Sequence, residues 1–162
     1  MKKLSIIIPA YNEERSISQI LGKIHQTRLI GETEKEILII DDGSKDSTAE
    51  KCRQFMQAHP DLDIHYHLQP FNQGKGAALR TGIALATGDW IIIQDADLEY
   101  DPEDYNPLLQ WDRKRCKSSL WFPFSETFEQ TFLPAFLFRR KVSHFCHESL
   151  IRPTSDRRTD LL

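Results

Sequence analysis

What this chain lacks narrows it first. It has no uninterrupted apolar run long enough to cross a membrane. Its first apolar run, Leu4–Ile8, is stopped by Pro9 and is too short for a secretory leader, despite the basic Met1-Lys2-Lys3 before it. It has no CxxC pair. Cys52, Cys116 and Cys146 are odd in number, which argues against a disulfide scaffold and for a reducing, cytoplasmic setting. It has no basic surplus: net charge is −3, so nothing implies a nucleic-acid partner. It shows no internal repeat and no low-complexity linker. What remains is 162 residues of ordinary globular composition, enough for one domain with a real core.

The totals hide a break. Residues 1–110 carry 11 Lys+Arg against 18 Asp+Glu, net −7, whereas residues 111–162 carry 10 against 6, net +4. All 7 glycines lie at or before Gly88, and 7 of the 9 phenylalanines lie after residue 110. Two compositions meet near Gln110-Trp111.

In chain order, Leu4-Ser5-Ile6-Ile7-Ile8-Pro9 is a short apolar strand. Ala10-Tyr11-Asn12 turns, with Asn12 expected as an N-cap and Glu13 and Glu14 in the first helical turn. Ile17, Ile20, Leu21 and Ile24 recur at helical spacing. Glu36-Ile37-Leu38-Ile39-Ile40 is a second buried strand, ending in Asp41-Asp42. After Gly43-Ser44-Lys45, Asp46 or Ser47 caps a helix whose inner face is Ala49, Cys52, Phe55 and Met56, and Pro60 ends it. Asp63 to Leu68 is a third, more polar strand. Ala77 to Ala86 is a helix with Leu79, Ile83 and Leu85 as its apolar members, closed by Gly88. The fourth strand is Ile91-Ile92-Ile93. This βαβαβαβ order predicts an α/β fold: a mainly parallel sheet with helices on both faces.

Parallel strands share a carboxyl edge, and ligands of open α/β sheets bind there. Three polar turns therefore converge: Pro9-Ala10-Tyr11-Asn12-Glu13, Asp41-Asp42-Gly43-Ser44 and Asp95-Ala96-Asp97. Each alone reads equally well as capping or a solvated strand end. Together, carboxylates at Glu13, Asp41, Asp42, Asp95 and Asp97 would repel one another unless a divalent cation or hydrogen bonds to a ligand relieve them. Hard oxygen donors suit Mg²⁺ or Mn²⁺. Gln73-Gly74-Lys75-Gly76 adds a cation to a glycine loop before a helix, a place favourable to phosphate. A phosphate-loop NTPase would need glycine where Gln69 stands, so that reading fails. Arg80, one turn on, could reach a diphosphate or be a solvated arginine. His65 and His67 share one strand face and read as a structural pair before a metal pair. His144, Cys146 and His147 lack zinc spacing.

Five motifs now stand in order: Ile8-Pro9-Ala10-Tyr11-Asn12-Glu13-Glu14, Asp41-Asp42-Gly43-Ser44-x-Asp46-x-Thr48, Asn72-x-Gly74-Lys75-Gly76-x-Ala78-x-Arg80-x-Gly82, Ala86-x-Gly88-Asp89 and Asp95-Ala96-Asp97-Leu98-Glu99-Tyr100. Over about residues 4–108 the chain resembles family 2 glycosyltransferases, in the branch of dolichyl-phosphate mannose and polyprenyl-phosphate glucose synthases. The resemblance implies a GT-A, Rossmann-like fold, with residues 1–110 as its nucleotide-sugar-binding half. It implies that Pro9, Tyr11 and Glu13 line the nucleotide pocket and that Asp41 or Asp42 contacts base or ribose. Lys75 and Arg80 would lie near ribose and phosphate. Asp95 and Asp97 would be the catalytic pair holding Mg²⁺ or Mn²⁺, with Glu99 as a further metal residue. The implied reaction moves a sugar, with inversion, from a nucleotide-diphosphate sugar to a lipid phosphate or glycan, above all a polyprenyl or dolichyl phosphate. An anionic phosphate acceptor needs no strong base; an alcohol acceptor would. Envelope biosynthesis at the cytoplasmic membrane face follows as a setting, with the membrane met through the acceptor. Oligomeric state is left open.

Past Gln110 these motifs stop, and the sheet is expected to be truncated after the Asp-x-Asp strand. Phe122, Phe124, Phe128, Phe132, Phe136 and Phe138 fit neither helix nor strand period. Shifted by one base, with synonymous codons, Lys117–Phe124 can read Lys-Val-Val-Tyr-Gly-Ser-Arg-Phe. The single Trp121 codon and the first base of Phe122 force the glycine. His147–Leu162 can likewise give a Thr-Asp-x-x-Thr-Cys stretch, and both resemble the family. Residues 111–162 are therefore expected to be an out-of-frame, non-family tail. The final strands would be unpaired and transfer weak or absent. A non-catalytic nucleotide-sugar-binding remnant is the alternative. A nucleotidyltransferase should carry a glycine-rich, Arg-containing loop where Pro9–Glu13 stands, and it does not.

Overall fold

The computed structural model describes residues 1–114 and 137–139. Runs of β-branched residues form the strands β1 (Lys2–Ala10), β2 (Thr33–Asp41), β3 (Asp63–Leu68) and β4 (Trp90–Ile93). Between them lie the helices α1 (Ile17–Gln26), α2 (Thr48–Ala58) and α3 (Lys75–Leu85). A 3-10 turn, Pro102–Asp104, leads into α4 (Tyr105–Lys114), and a three-residue strand β5 (Leu137–Arg139) follows. The sheet order is β3-β2-β1-β4-β5. β1 pairs in parallel with β2 on one edge and with β4 on the other, and β2 pairs in parallel with β3. The strand order thus reverses at β1, which makes the crevice beyond the carboxyl ends of β1 and β4 the topological switch point.

Alternation along the central strands builds two cores. Ile6, Ile8, Ile37, Ile39 and Ile92 face α1, α2 and α4, against Ile20, Leu21, Ile24, Cys52, Tyr105 and Leu109. Ile7, Leu38, Ile40 and Ile91 face α3, against Ala78 and Ala86. Helices on both faces are as the sequence predicts. Of the apolar members of α3, Leu79, Ile83 and Leu85, the last two are each 45% exposed. The buried residues are Ala78 and Gly82. The reason is distance: a Cβ on Gly82 would lie 2.4 Å from Cγ2 of Ile7, so only small residues let α3 approach the sheet.

Other local expectations change too. Asn12 is no N-cap. It adopts a left-handed φ of 57°, and α1 starts later, after Ser16. The first turn of α1 holds no acid. Glu13 and Glu14 precede it, and the Glu13 carbonyl accepts from the Ile17 amide. The Asn12 side chain instead accepts from the Lys45 amide, tying the first turn to the second. At α2 the residue at the cap is Ser47, without a capping bond, while Asp46 accepts from the amide and hydroxyl of Thr48. The edge of β4, expected bare, pairs antiparallel with β5 over Trp90–Ile92. The Phe-rich segment up to Phe136 and the cluster His144, Cys146 and His147 lie outside the described residues.

At the amino edge of the sheet, the buried Glu36 carboxylate accepts from the hydroxyls of Ser5 and Thr87 and from the Thr87 amide. These bonds hold the turn between α3 and β4 against β1 and β2. Burial pushes the Glu36 carboxyl up, but the hydrogen bonds from Ser5 and Thr87 and the charge of Lys3 outweigh it and leave it below its ordinary value of 4.5. A carboxyl lowered on folding stabilises above its unfolded value and loses that contribution as pH falls through the folded one. Urea midpoints measured from pH 6 to pH 3 should therefore drop on the acid side. Glu36→Gln should be less stable at pH 6 and show a shallower acid-side drop; equal slopes for both proteins would refute this account.

Candidate active site at the carboxyl edge

A cleft of about 270 Å³ opens where the topology directs it. Pro9, Tyr11 and Glu13 line it from the end of β1, Asp42 from the end of β2, and Asp95 and Asp97 from the end of β4. Gly74 and Lys75 contribute from the start of α3. Seven of the residues singled out from sequence are thus brought together: Pro9, Tyr11, Glu13, Asp42, Lys75, Asp95 and Asp97.

Three others are placed elsewhere. Asp41 is fully buried under the cleft; its Oδ1 accepts from the Ser44 amide at 2.8 Å and its Oδ2 from the Tyr66 hydroxyl at 2.6 Å. Burial and that carboxylate push the Tyr66 hydroxyl up. Burial, with Asp41 adding to it, pushes the neighbouring Cys52 thiol up to about 12, which makes Cys52 an inert core residue. Arg80 is exposed on α3 beside Gly76 and outside the cleft lining. Glu99 is exposed and also outside the lining; its backbone amide donates to Asp97 Oδ1 at 3.2 Å.

Asp42 lines the cleft but is engaged as well. Its two oxygens accept the amides of Gln73 (2.8 Å) and Gly74 (2.7 Å) and so clamp the glycine loop. Gly74 needs its lack of Cβ, with φ at 87°. Gly43 needs it twice over: φ is 77°, and a Cβ would meet the backbone of Phe71 and Asn72 at 3.0 Å. Gly74 lines the cleft, in the glycine loop the sequence offers for a phosphate; Asn72, legible only as a motif letter, is a further wall.

The charge that remains is concentrated. Lys75 Nζ stands 2.7 Å from Asp95 Oδ1. Glu13 is bonded by the Ser16 hydroxyl at 2.5 Å. Asp97 is exposed beside them. Two hard carboxylates separated by one residue, one of them already drawing an ammonium into the cleft, fit a divalent cation with oxygen preference; among the described residues lining the cleft, Lys75 is the basic one. A second acidic grouping, Glu36, Asp63 and His65, lies at the opposite edge of the sheet. There Lys3 Nζ sits 3.0 Å from Asp63, and His65 Nε2 2.8 Å from it.

The sequence profile described as Glycosyl transferase family 2 matches residues 5–143. The chain belongs to that family. It is 36% identical over 110 residues to a dolichyl-phosphate beta-glucosyltransferase of Dictyostelium discoideum, a match covering 64% of this chain and 33% of the relative. Among solved structures, it resembles the mannosyltransferase PcManGT from Pyrobaculum calidifontis, in complex with GDP-Man and Mn²⁺. The identity is 28% and the TM-score 0.60, over 67% of this chain and 31% of that one. Staphylococcus aureus TarS 1–349 with UDP-GlcNAc shares the fold at 24% identity and TM-score 0.59, over 69% of this chain and 31% of its own. The fold is thus of the GT-A kind. The chain spans about a third of the length of the relatives it matches. No helix among the described residues is long and apolar enough to cross a membrane.

Asp42→Ala would leave the Gln73 amide without its acceptor and the Gly74 amide with only Asn72 Oδ1 at 3.1 Å. Hydrogen bonds to a charged group are worth about 1.5–3 kcal/mol each, so urea unfolding should show a loss of about 2 kcal/mol. An unchanged midpoint would mean that the loop is held by something else.

Proposed function

We propose that this chain forms the donor-binding half of a family 2 glycosyltransferase. In this reading the whole reaction transfers a sugar, with inversion, from a nucleotide-diphosphate sugar to a polyprenyl or dolichyl phosphate at the cytoplasmic face of a membrane. The observation that carries it is the meeting of Asp95, Asp97 and Lys75 with Pro9, Tyr11 and Glu13 in one cleft at the switch point. The named relatives supply the substrate classes: a dolichyl phosphate for one, GDP-Man and Mn²⁺ for the other.

Pro9 and Tyr11 offer apolar surface for the nucleoside. Asp42 and Glu13 offer acceptors for base or ribose hydroxyls at the rim. Asp95 and Asp97 would hold Mg²⁺ or Mn²⁺ on the donor diphosphate, with Glu99 next to them on the same loop and Arg80 on the first turns of α3, after Lys75. The bound cation would offset the charge that builds on the leaving diphosphate. Lys75 can then release Asp95 and pair with a phosphate oxygen, a bond of the charge-assisted kind. A phosphate acceptor arrives already anionic, so the chain need supply no base for it.

A second reading, donor binding without transfer, follows the change of composition past Gln110. The composition break at Gln110 keeps residues 111–162 proposed as an out-of-frame segment, and the profile match through residue 143 stands against that. The coding sequence from codon 95 onward separates the two.

Two measurements test the function. Labelled GDP-mannose and UDP-glucose are offered with Mn²⁺ and a polyprenyl phosphate. Metal-dependent label in lipid that is lost in Asp97→Asn supports transfer; donor binding without product supports the second reading. Free Mn²⁺ and nucleotide binding are then followed in Lys75→Met. Losing the competing ammonium should tighten Mn²⁺ binding several-fold. Losing the phosphate partner should weaken GDP or UDP binding about tenfold, as about 1.4 kcal/mol implies. Unchanged binding of both would remove Lys75 from this role.

A further inference from the structure

Gln94 is the residue just before the Asp-x-Asp pair. Its side chain is fully buried, which is unusual for a glutamine and calls for complete hydrogen bonding. It has that. Its backbone amide donates to the Ile7 carbonyl at 2.9 Å, fixing it to β1. Its Nε2 donates to two carbonyls, those of Asp95 and Tyr100, each at 3.1 Å. Its Oε1 accepts the Tyr105 hydroxyl at 2.6 Å, and Tyr105 is itself 1% exposed at the start of α4.

These bonds have one geometric effect. The two carbonyls are at the two ends of the loop that carries Asp95, Asp97 and Glu99. One side-chain amide therefore holds both feet of that loop. Between the feet the chain reverses at Leu98, whose φ is 66°, and the Glu99 amide turns back onto Asp97. A non-glycine residue in the left-handed region persists only where its surroundings hold it. The Tyr105 hydroxyl completes the arrangement. By accepting that hydroxyl on Oε1, the amide is oriented with Nε2 towards the carbonyls. A flipped amide would oppose its oxygen to two carbonyl oxygens.

We infer that Gln94, oriented by Tyr105, is a positioning residue for the acidic loop: it sets the spacing and direction of Asp95 and Asp97 from below without touching the ligand. This rests on the reading of Asp95 and Asp97 as cation ligands only for its functional half; the structural half stands without it.

The test uses the full chain with Tyr105→Phe, which removes one hydroxyl, and Gln94→Leu, which removes the amide. Amide hydrogen exchange is the first readout. Exchange over residues 95–104 should quicken about tenfold or more in both variants, with β1 and β2 unchanged. A purely structural core role would raise exchange across β1 and β2 alike and would overturn the inference, as would an unaltered loop. The second readout is Mn²⁺ affinity in the presence of GDP or UDP. A several-fold weakening in Tyr105→Phe supports the positioning role, and equal affinity in variant and parent sinks its functional half. A parent chain that binds no Mn²⁺ under these conditions refutes the proposed function instead, while the exchange data still decide the loop.

Discussion

The cleft depends on one constraint: β1 is hydrogen-bonded in parallel on both edges. β2 and β4 must then end on the same side as β1, and their following turns must meet. The same pairing fixes which way each side chain at those ends points, because strand side chains alternate with period two. Along β4, Trp90 and Ile92 face α1 and α4, and Ile91 faces α3. Continuing that alternation, Gln94 falls to the α4 side, where Tyr105 waits, and Asp95 to the α3 side, where Lys75 waits. Along β2, Ile37 and Ile39 lead to Asp41 beneath the cleft, while Leu38 and Ile40 lead to Asp42 at the glycine loop. Adjacent residues of similar chemistry are thereby sent to different work.

That division explains how so many carboxylates coexist. Asp41 spends its oxygens on a turn amide and a tyrosine, Asp42 on two loop amides, and Asp46 on Thr48. Asp46 feels burial first, but the bonds from Thr48 and Glu14 more than offset it and lower its carboxyl. Acids that look like ligands in the sequence are the mortar of the site. Asp95 and Asp97 are the ones left facing open space and a cation.

Much of this was legible before any coordinates. The four strands, the shared edge and the Asp-x-Asp pair follow from apolar runs and their order, because parallel topology leaves few alternatives. The split between Asp41 and Asp42 was also within reach, since period two had already sorted Ile37 to Ile40. Other features lay beyond sequence reasoning. The apolar members of α3 do not mark its inward face: close approach to Ile7 selects Gly82 and Ala78, a packing fact with no local signature. Asn12 looked like a cap because asparagine serves both as N-cap and in the left-handed region, and only its bond to Lys45 decides which. Gln94 carried no signal at all, because its partner lies eleven residues on, across a turn.

The Lys75–Asp95 pair gives the cleft its chemical character. Lys75 is 59% exposed, and an exposed ion pair contributes only about 0–1 kcal/mol, so the bridge adds little to stability. Its weakness is what makes it exchangeable. The acidic loop is held rigidly from below by buried hydrogen bonds, whereas the ammonium above it rides on a flexible stem at the start of α3. An incoming group with both positive and negative charge can therefore take Asp95 from Lys75 and offer Lys75 an oxygen in return, with no net loss of ion pairs. A neutral sugar or a lone anion cannot make that exchange: the first brings no charge, and the second leaves Asp95 without its ammonium. In the proposed function, this balance of fixed acids and one movable base suits an anionic ligand that arrives with its own cation.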